Sequence, residues 1–325
     1  MPEVTMVRAL NEALRHSLND DDRALILGED VGRLGGVFRV TDGLQAEFGT
    51  ERVFDTPLAE SAIAGVSLGL ALAGWHPVAE MQFDGFSYPA LDQVISHIAK
   101  YRYRSRGRQT VPVVIRIPFA GGIGAAEHHS ESPEAYYAHT AGLKVVVPSS
   151  PVDAYHLLRA SIADPDPVIF FEPKSRYWAK EDGELNGAEG LPIGKSRVVR
   201  PGSDCTIFSY GAMVARSVAA ADAATSRGVE AEVIDLRSLV PLDVDAIGGA
   251  VRRTGRAIVV HEAPMTAGFG AEVVARIVED AFDYLEAPVI RVTGYDTPYP
   301  PATVESRYVP SVQRIVAAID RVTNY

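Results

Sequence analysis

Residues 111–119 read VPVVIRIPF. The run is short, almost wholly apolar and rich in valine and isoleucine, as expected of a strand covered on both faces. Runs of the same kind occur at 24–30 (ALILGED), 76–83 (HPVAEMQF), 143–149 (LKVVVPS) and 166–173 (DPVIFFEP). Helix-like segments separate them at 5–18, 57–73 and 90–103. Strands of this type alternating with helices predict a mainly parallel sheet with helices on both sides.

From 174 to 192 the chain turns polar and rich in turn residues, which predicts a linker. The alternation then restarts. Strand-like CTIFSYG (205–211), AEVIDLRSL (231–239), RAIVVHEA (256–263) and PVIRVTGYD (288–296) flank helix-like segments at 212–226, 244–253 and 271–285. The chain therefore reads as α/β with two doubly wound domains, 1–190 and 191–325. A length of 325 residues accommodates both.

Hydrophobic residues make up 47% and charged residues 22%, the balance of a soluble globular protein. The net charge of −11 argues against nucleic-acid or anionic-membrane partners. One basic run, KYRYRSRGR at 100–108, interleaves tyrosine with arginine; in so acidic a chain it reads as a solvated helix end or a contact with an acidic partner, before an RNA strip. Cys205 is the only cysteine, which excludes an internal disulfide and a cysteine-based metal site. The N-terminal stretch is an amphipathic helix and not a signal peptide, and the apolar runs fall short of a membrane span. A cytoplasmic location is expected.

In open parallel sheets, ligands bind beyond the carboxyl ends of the strands. Three polar clusters fall there. In the first, FDTPLAESAIAGVSLGLALAG (54–74), Glu60 interrupts small apolar residues. Thr56 and Pro57 make a plausible helix start. A capping box would need its acid at 59, which is Ala. The helix after Glu60 has no polar face and should be covered all round. Its carboxylate either serves the helix dipole or has a buried partner. The second cluster is EMQFDGF (80–86). The third, 119–139, holds Gly121, Gly122 and Gly124, then Glu127, His128, His129, Ser130 and Glu131. Glu127 stands where a GxGxxG pattern needs its last glycine. Zinc ligation by His128, His129 and His139 is a weaker reading than a proton-donating histidine on a mobile glycine-bearing loop, because adjacent histidines rarely face one metal. There is no Walker sequence and no GxSxG elbow. The residues alone stop at a two-domain α/β protein with a site at 54–60, 80–86 and 119–139.

Taken together, ILGEDVG, FDTPLAESAIAG, EMQFDGFSYPALDQV, HHSESPEAYYAH, GLKVVVPSSP, DPDPVIFFEPK, EVIDLRSLVPLDVD and GYDTPYP resemble the beta subunits of thiamine diphosphate-dependent 2-oxo acid dehydrogenases, a transketolase-like family. KYRYRS, HSESPEAYYAH, FFEPK and HEAPMTAGFG look more like the branched-chain than the pyruvate type. The resemblance implies a transketolase-like pyrimidine-binding domain at 1–190 and a transketolase C-terminal domain at 191–325. It implies oxidative decarboxylation of a branched-chain 2-oxo acid, of the 3-methyl-2-oxobutanoate type, and reductive acylation of a lipoyl group. Pyruvate or acetoin chemistry, or a non-catalytic assembly subunit, are the alternatives.

By the same resemblance, Glu60 hydrogen-bonds the aminopyrimidine of thiamine diphosphate, with Leu58, Gln82 and Phe86 lining that pocket. His129 is the catalytic histidine of acyl transfer, and the role of His128 is open. A potassium ion is implied at Val111, Val113, Val114, Ser161, Asp164 and Asp166. The family's GDG magnesium segment is missing, since TDGL at 41–44 lacks its first glycine. Magnesium should therefore sit on a separate alpha subunit, the assembly should be an α2β2 heterotetramer, and a lipoyl-bearing acyltransferase should dock to it.

Overall fold

The computed structural model describes residues 3–185 and 191–325. Its strands, in chain order, are β1 (Glu3–Thr5), β2 (Ala24–Gly28), β3 (Val53–Asp55), β4 (His76–Glu80), β5 (Val114–Phe119), β6 (Lys144–Val146), β7 (Val168–Pro173), β8 (Lys180–Asp182), β9 (Arg197–Arg200), β10 (Cys205–Ser209), β11 (Ala231–Asp235), β12 (Ser238–Val240), β13 (Ala257–Val260) and β14 (Ile290–Val292). They form a seven-stranded sheet in the order β12-β6-β7-β5-β4-β2-β3 and a five-stranded sheet in the order β14-β13-β10-β11-β9. Pairing is parallel throughout both except at the edge strands β12 and β9. Every residue of β5 and β7 is buried, including Arg116 of β5 and Glu172 of β7 in their otherwise apolar runs.

Helices Met6–Asp20 and Pro151–Ala163 cover one face of the larger sheet. The first places Met6, Leu10, Leu14 and Leu18 in the core at helical spacing, each worth about 1.5–3 kcal/mol of burial, and Thr5 caps its start. The apolar layer on the other face runs without a break into the C-terminal half, where Ile115, Phe119 and Tyr137 share a core with Phe208, Ile247 and Phe269.

Four expectations need correction. The 231–239 run is not one strand: Arg237 turns the chain with φ 56°, so that β11 stays in the smaller sheet and β12 pairs antiparallel with β6 of the larger one. The helix expected over 57–73 spans Glu60–Leu72, with Ala59 and not Thr56 at its cap. Its outer face is not covered, since Ser61, Ala62, Val66 and Gly69 are exposed. The 90–103 helix is broken by a π turn at Val94–Ile98. In the 174–192 linker, Lys174 and Tyr177 are buried and β8 pairs with β1, while 186–190, where the expected domain boundary falls, lie outside the described residues.

The basic run begins in the short helix Tyr101–Arg104 and ends in the turn after it, and Arg102 pairs with Asp166. No described helix is long and apolar enough to cross a membrane.

Candidate functional site

The carboxyl ends of β2, β3, β4, β5 and β7 deliver the polar clusters to one edge of the larger sheet. Beyond β2, Glu29 is buried and neither of its carboxylate oxygens has a hydrogen-bond partner. Burial pushes its pKa up, and the negative charges of Glu60 and Asp30 push it further. Beyond β3, Glu60 is the first residue of its helix and is 6% exposed. The Thr56 hydroxyl is likewise buried without a partner. Two carboxylates and a hydroxyl are thus gathered at a buried end, with the acceptors of Glu29 and Thr56 unused, an arrangement that suits a ligand bringing donors. Glu29 was not singled out from the sequence, where its only signal is its place directly after a buried strand.

Beyond β4 and β5 the arrangement is aromatic. The imidazole of His129 stacks on Phe83 with centroids 4.1 Å apart and meets the edge of Phe86 at 5.0 Å. His128 is exposed and tilts against both Phe86 and His129. Gly85 permits this contact, because a Cβ there would stand 2.1 Å from the His128 carbonyl oxygen. His129 Nδ1 lies 3.0 Å from that same carbonyl. A carbonyl only accepts, so Nδ1 carries the proton and Nε2 is the nitrogen left for other chemistry. Gln82 donates to Asp30 Oδ2 at 2.8 Å, joining the aromatic group to the carboxylate group. Leu58 does not line a pocket within this chain, for it is 75% exposed.

The ground beneath is ionic. Arg116 of β5 donates to Glu80 of β4 at 2.6 Å and to both oxygens of Glu172 of β7 at 2.7 and 2.9 Å. Tyr177 donates to Glu172 as well, and all four side chains are buried. Beside them Lys174 pairs with Asp84, whose other oxygen accepts from the Glu131 backbone N–H at 2.8 Å. Burial pulls the Lys174 ammonium down and pushes the Asp84 carboxyl up, each opposed by the other's charge.

The three-histidine zinc reading finds no support: among the described residues no group of three or more His, Cys, Asp or Glu side chains could hold a metal ion. The residues implied for potassium do lie together. Val111 N–H donates to Pro165 O, and Val168 N–H donates to Val113 O. Val114 and Ser161 are buried beside them. Asp164 is paired with Lys144 and Asp166 with Arg102, so cationic side chains already meet both carboxylates.

Residues 2–179 match the family described as "Transketolase, pyrimidine binding domain", and 194–315 match "Transketolase, C-terminal domain". The chain is 55% identical to the 3-methyl-2-oxobutanoate dehydrogenase subunit beta of Mycobacterium tuberculosis, covering 98% of this chain and 92% of that one. It is 54% identical to the pyruvate dehydrogenase E1 component subunit beta of Leifsonia xyli subsp. xyli, covering 98% and 95%. It is 46% identical to the 2-oxoisovalerate dehydrogenase subunit beta of Pseudomonas aeruginosa, again covering 98% and 95%. A solved split-gene transketolase, titled an inactive beta4 tetramer, superposes with a TM-score of 0.81 at 23% identity over 99% of this chain and 98% of that one, a likeness of fold. The chain belongs to the transketolase-like beta subunits of the 2-oxo acid dehydrogenases.

Proposed function

We propose that this chain forms half of a thiamine diphosphate site and, with an alpha subunit, decarboxylates branched-chain 2-oxo acids oxidatively and acylates a lipoyl group. The observation that carries the reading is the buried pair Glu29 and Glu60, with both Glu29 oxygens and the Thr56 hydroxyl left unpaired, beside the Phe83, Phe86 and His129 cluster. An aminopyrimidine offers an amino group that donates to such carboxylates, a ring nitrogen that meets a carboxyl through a shared proton, and a flat face that meets Phe86. When bound, thiamine diphosphate supplies the nucleophilic carbon and the electron sink for decarboxylation.

The protein's own residues do the rest. Glu60 presents a carboxyl oxygen as the hydrogen-bond partner of the pyrimidine ring nitrogen. Glu29, whose ionisation is opposed by burial and by the charges of Glu60 and Asp30, lies beside it. His129, its Nδ1–H fixed on the His128 carbonyl, presents Nε2, which in the doubly protonated ring donates a proton to the sulfur leaving the lipoyl disulfide and is left as the neutral Nδ1–H tautomer. The missing GDG segment supports an alpha partner that holds magnesium and the diphosphate in an α2β2 assembly. Exposed Leu58 and the open face of helix Glu60–Leu72 support a covering subunit at this edge. A lipoyl-bearing acyltransferase is the expected acceptor, and the cytoplasm the expected site of action. Potassium forms no part of this reading.

Relatives named for branched-chain substrates and for pyruvate stand at nearly equal identity, so substrate is decided by kinetics. With its alpha partner, kcat/KM should be higher for 3-methyl-2-oxobutanoate and 4-methyl-2-oxopentanoate than for pyruvate, each buried methyl contributing about 1 kcal/mol. A preference for pyruvate would overturn the substrate and leave the reaction class. Turnover by the lone chain with cofactor and magnesium would overturn the shared site.

A further inference from the structure

The loop that carries His129 leaves β5 at Ala120 and is closed at its base by a hydrogen bond from Ala120 N–H to Glu131 O at 2.8 Å. Its far side is tied to the larger sheet, through Glu131 N–H on Asp84 and Asp84 on Lys174. Its near side is tied to the other half of the molecule. Gly121 N–H donates to Glu262 Oε1 at 2.8 Å, and Gly122 N–H donates to Glu305 Oε1 at 2.8 Å. Tyr299 O–H donates to that same Glu305 oxygen at 2.8 Å. The fit is close: a Cβ on Gly121 would stand 1.6 Å from the Tyr299 hydroxyl oxygen. Gly122, with φ 90°, holds a left-handed conformation that other residues adopt only at a cost. Past this stem the loop is open, for Gly122, Ile123, Gly124, Ala126, Glu127 and His128 are all exposed.

We propose that Glu262 and Glu305 are positioning residues that clamp the stem of the His129 loop, so that the C-terminal domain sets where the proton donor of acyl transfer stands. Backbone N–H groups on carboxylates make charge-assisted hydrogen bonds, stronger than neutral ones. Two such bonds on adjacent residues fix both the direction and the twist with which the loop departs. The charge of Lys174 faces Glu262 and Glu305 as well as Asp84, so one buried cation balances the anchors on both sides of the loop. Decarboxylation needs the carboxylate pair and not the loop, and the clamp should therefore act on one half-reaction. This inference rests on the donor role proposed for His129.

The test uses the chain assembled with its alpha partner. Glu305 lies near the surface, so Glu305→Ala removes the acceptor without opening the core. Amide hydrogen exchange over 121–131 should then quicken about tenfold, and lipoyl acylation fall about tenfold, while decarboxylation with an artificial electron acceptor stays within about twofold, as expected for loss of the one hydrogen bond that Glu305 accepts from the loop itself. Glu305→Gln, which keeps an accepting oxygen, should restore most of both readouts. Unchanged exchange in Glu305→Ala, or an equal fall in the two half-reactions, overturns the clamp. His129→Ala, run in parallel, separates the premises. If it does not lose acylation selectively, the donor role fails, and the exchange result alone decides the clamp.

Discussion

The imidazole of His129 lies flat on the ring of Phe83, with centroids 4.1 Å apart and planes 13° from parallel. Phe83 is itself held on its other contacts by Phe38, Phe86 and the ammonium of Lys174. The plane of the histidine is thus set from the larger sheet, and its loop stem from the smaller one. Replacing Phe83 by Leu keeps apolar volume and removes the flat surface, a loss of about 0.5–1.5 kcal/mol for an aromatic pair. Lipoyl acylation should fall up to about tenfold, and Phe83→Tyr should retain it, as measured in separated half-reactions. Wild-type acylation by the Leu variant would mean that the loop backbone alone orients His129.

Glu29 makes a different kind of prediction. Its carboxyl carries a raised pKa, from burial first and from the neighbouring charges of Glu60 and Asp30. A carboxyl raised in the folded state contributes stability at low pH, and that contribution is lost as pH rises through the folded pKa. Glu29→Gln removes the buried charge. At pH 8 the variant should therefore be the more stable protein, by about 1 kcal/mol, with the difference closing towards pH 4. Binding of thiamine diphosphate by the assembled enzyme should weaken about tenfold. Urea melts at the two pH values and cofactor titration check both halves. A variant less stable than wild type at pH 8 would show that the carboxylate is satisfied as it stands.

How far all this could be read from the chain depends on the range of the interaction. The parallel strands were legible because burial on both faces leaves a nearly continuous apolar run, as at Val114–Phe119, where Arg116 is the one interruption. Glu60 was legible as a misfit, a carboxylate opening a helix with no polar face, although its purpose came only from the family resemblance. Phe83 sat inside a quoted motif, but its partners His129 and Lys174 come from other segments, and local pattern does not encode them. Glu262 and Glu305 reach the loop across 141 and 183 residues of chain. β12 escaped for a related reason: the 231–239 run has strand propensity throughout, and only the left-handed turn at Arg237 sends its second part to another sheet.

The Glu80–Arg116–Glu172 triad predicts a non-additive series. Arg116 is fully buried between two buried carboxylates, whose charges raise its pKa against the burial that lowers it. Arg116→Met strands both acids and should cost about 3–5 kcal/mol in urea denaturation. Replacing all three by apolar residues of similar size should cost less than the single change, because no uncompensated charge remains. A triple variant weaker than Arg116→Met would show that the triad contributes net stability to the strand ends beneath the site.

The sharpest pH signature comes from Glu134, which joins the segment after the His129 loop to the C-terminal half. It is buried; Tyr210 O–H donates to its Oε1 at 2.7 Å, and its Oε2 has no partner. Burial pushes its carboxyl up to about 7 from an ordinary 4.5, with the Tyr210 hydrogen bond opposing and the charges of Glu262 and Asp84 adding. The folded chain therefore keeps a proton that the unfolded chain releases, and stability present below about 4.5 is lost as pH rises through about 7. His261, stacked on the same Tyr210, runs the other way. Its buried imidazole is pulled down to about 4, so its contribution is present above 6.5 and is lost as pH falls through about 4. Glu134→Gln removes the falling limb and leaves the rising one. Between pH 4.5 and 8 the variant should gain on wild type by up to about 3 kcal/mol, most of it by pH 7. Urea denaturation at pH 4.5, 6 and 8 reads the difference directly. Parallel stability curves for the two proteins would show that Glu134 titrates alike in the folded and unfolded chain, and the pH dependence would then belong to the other buried groups of this junction.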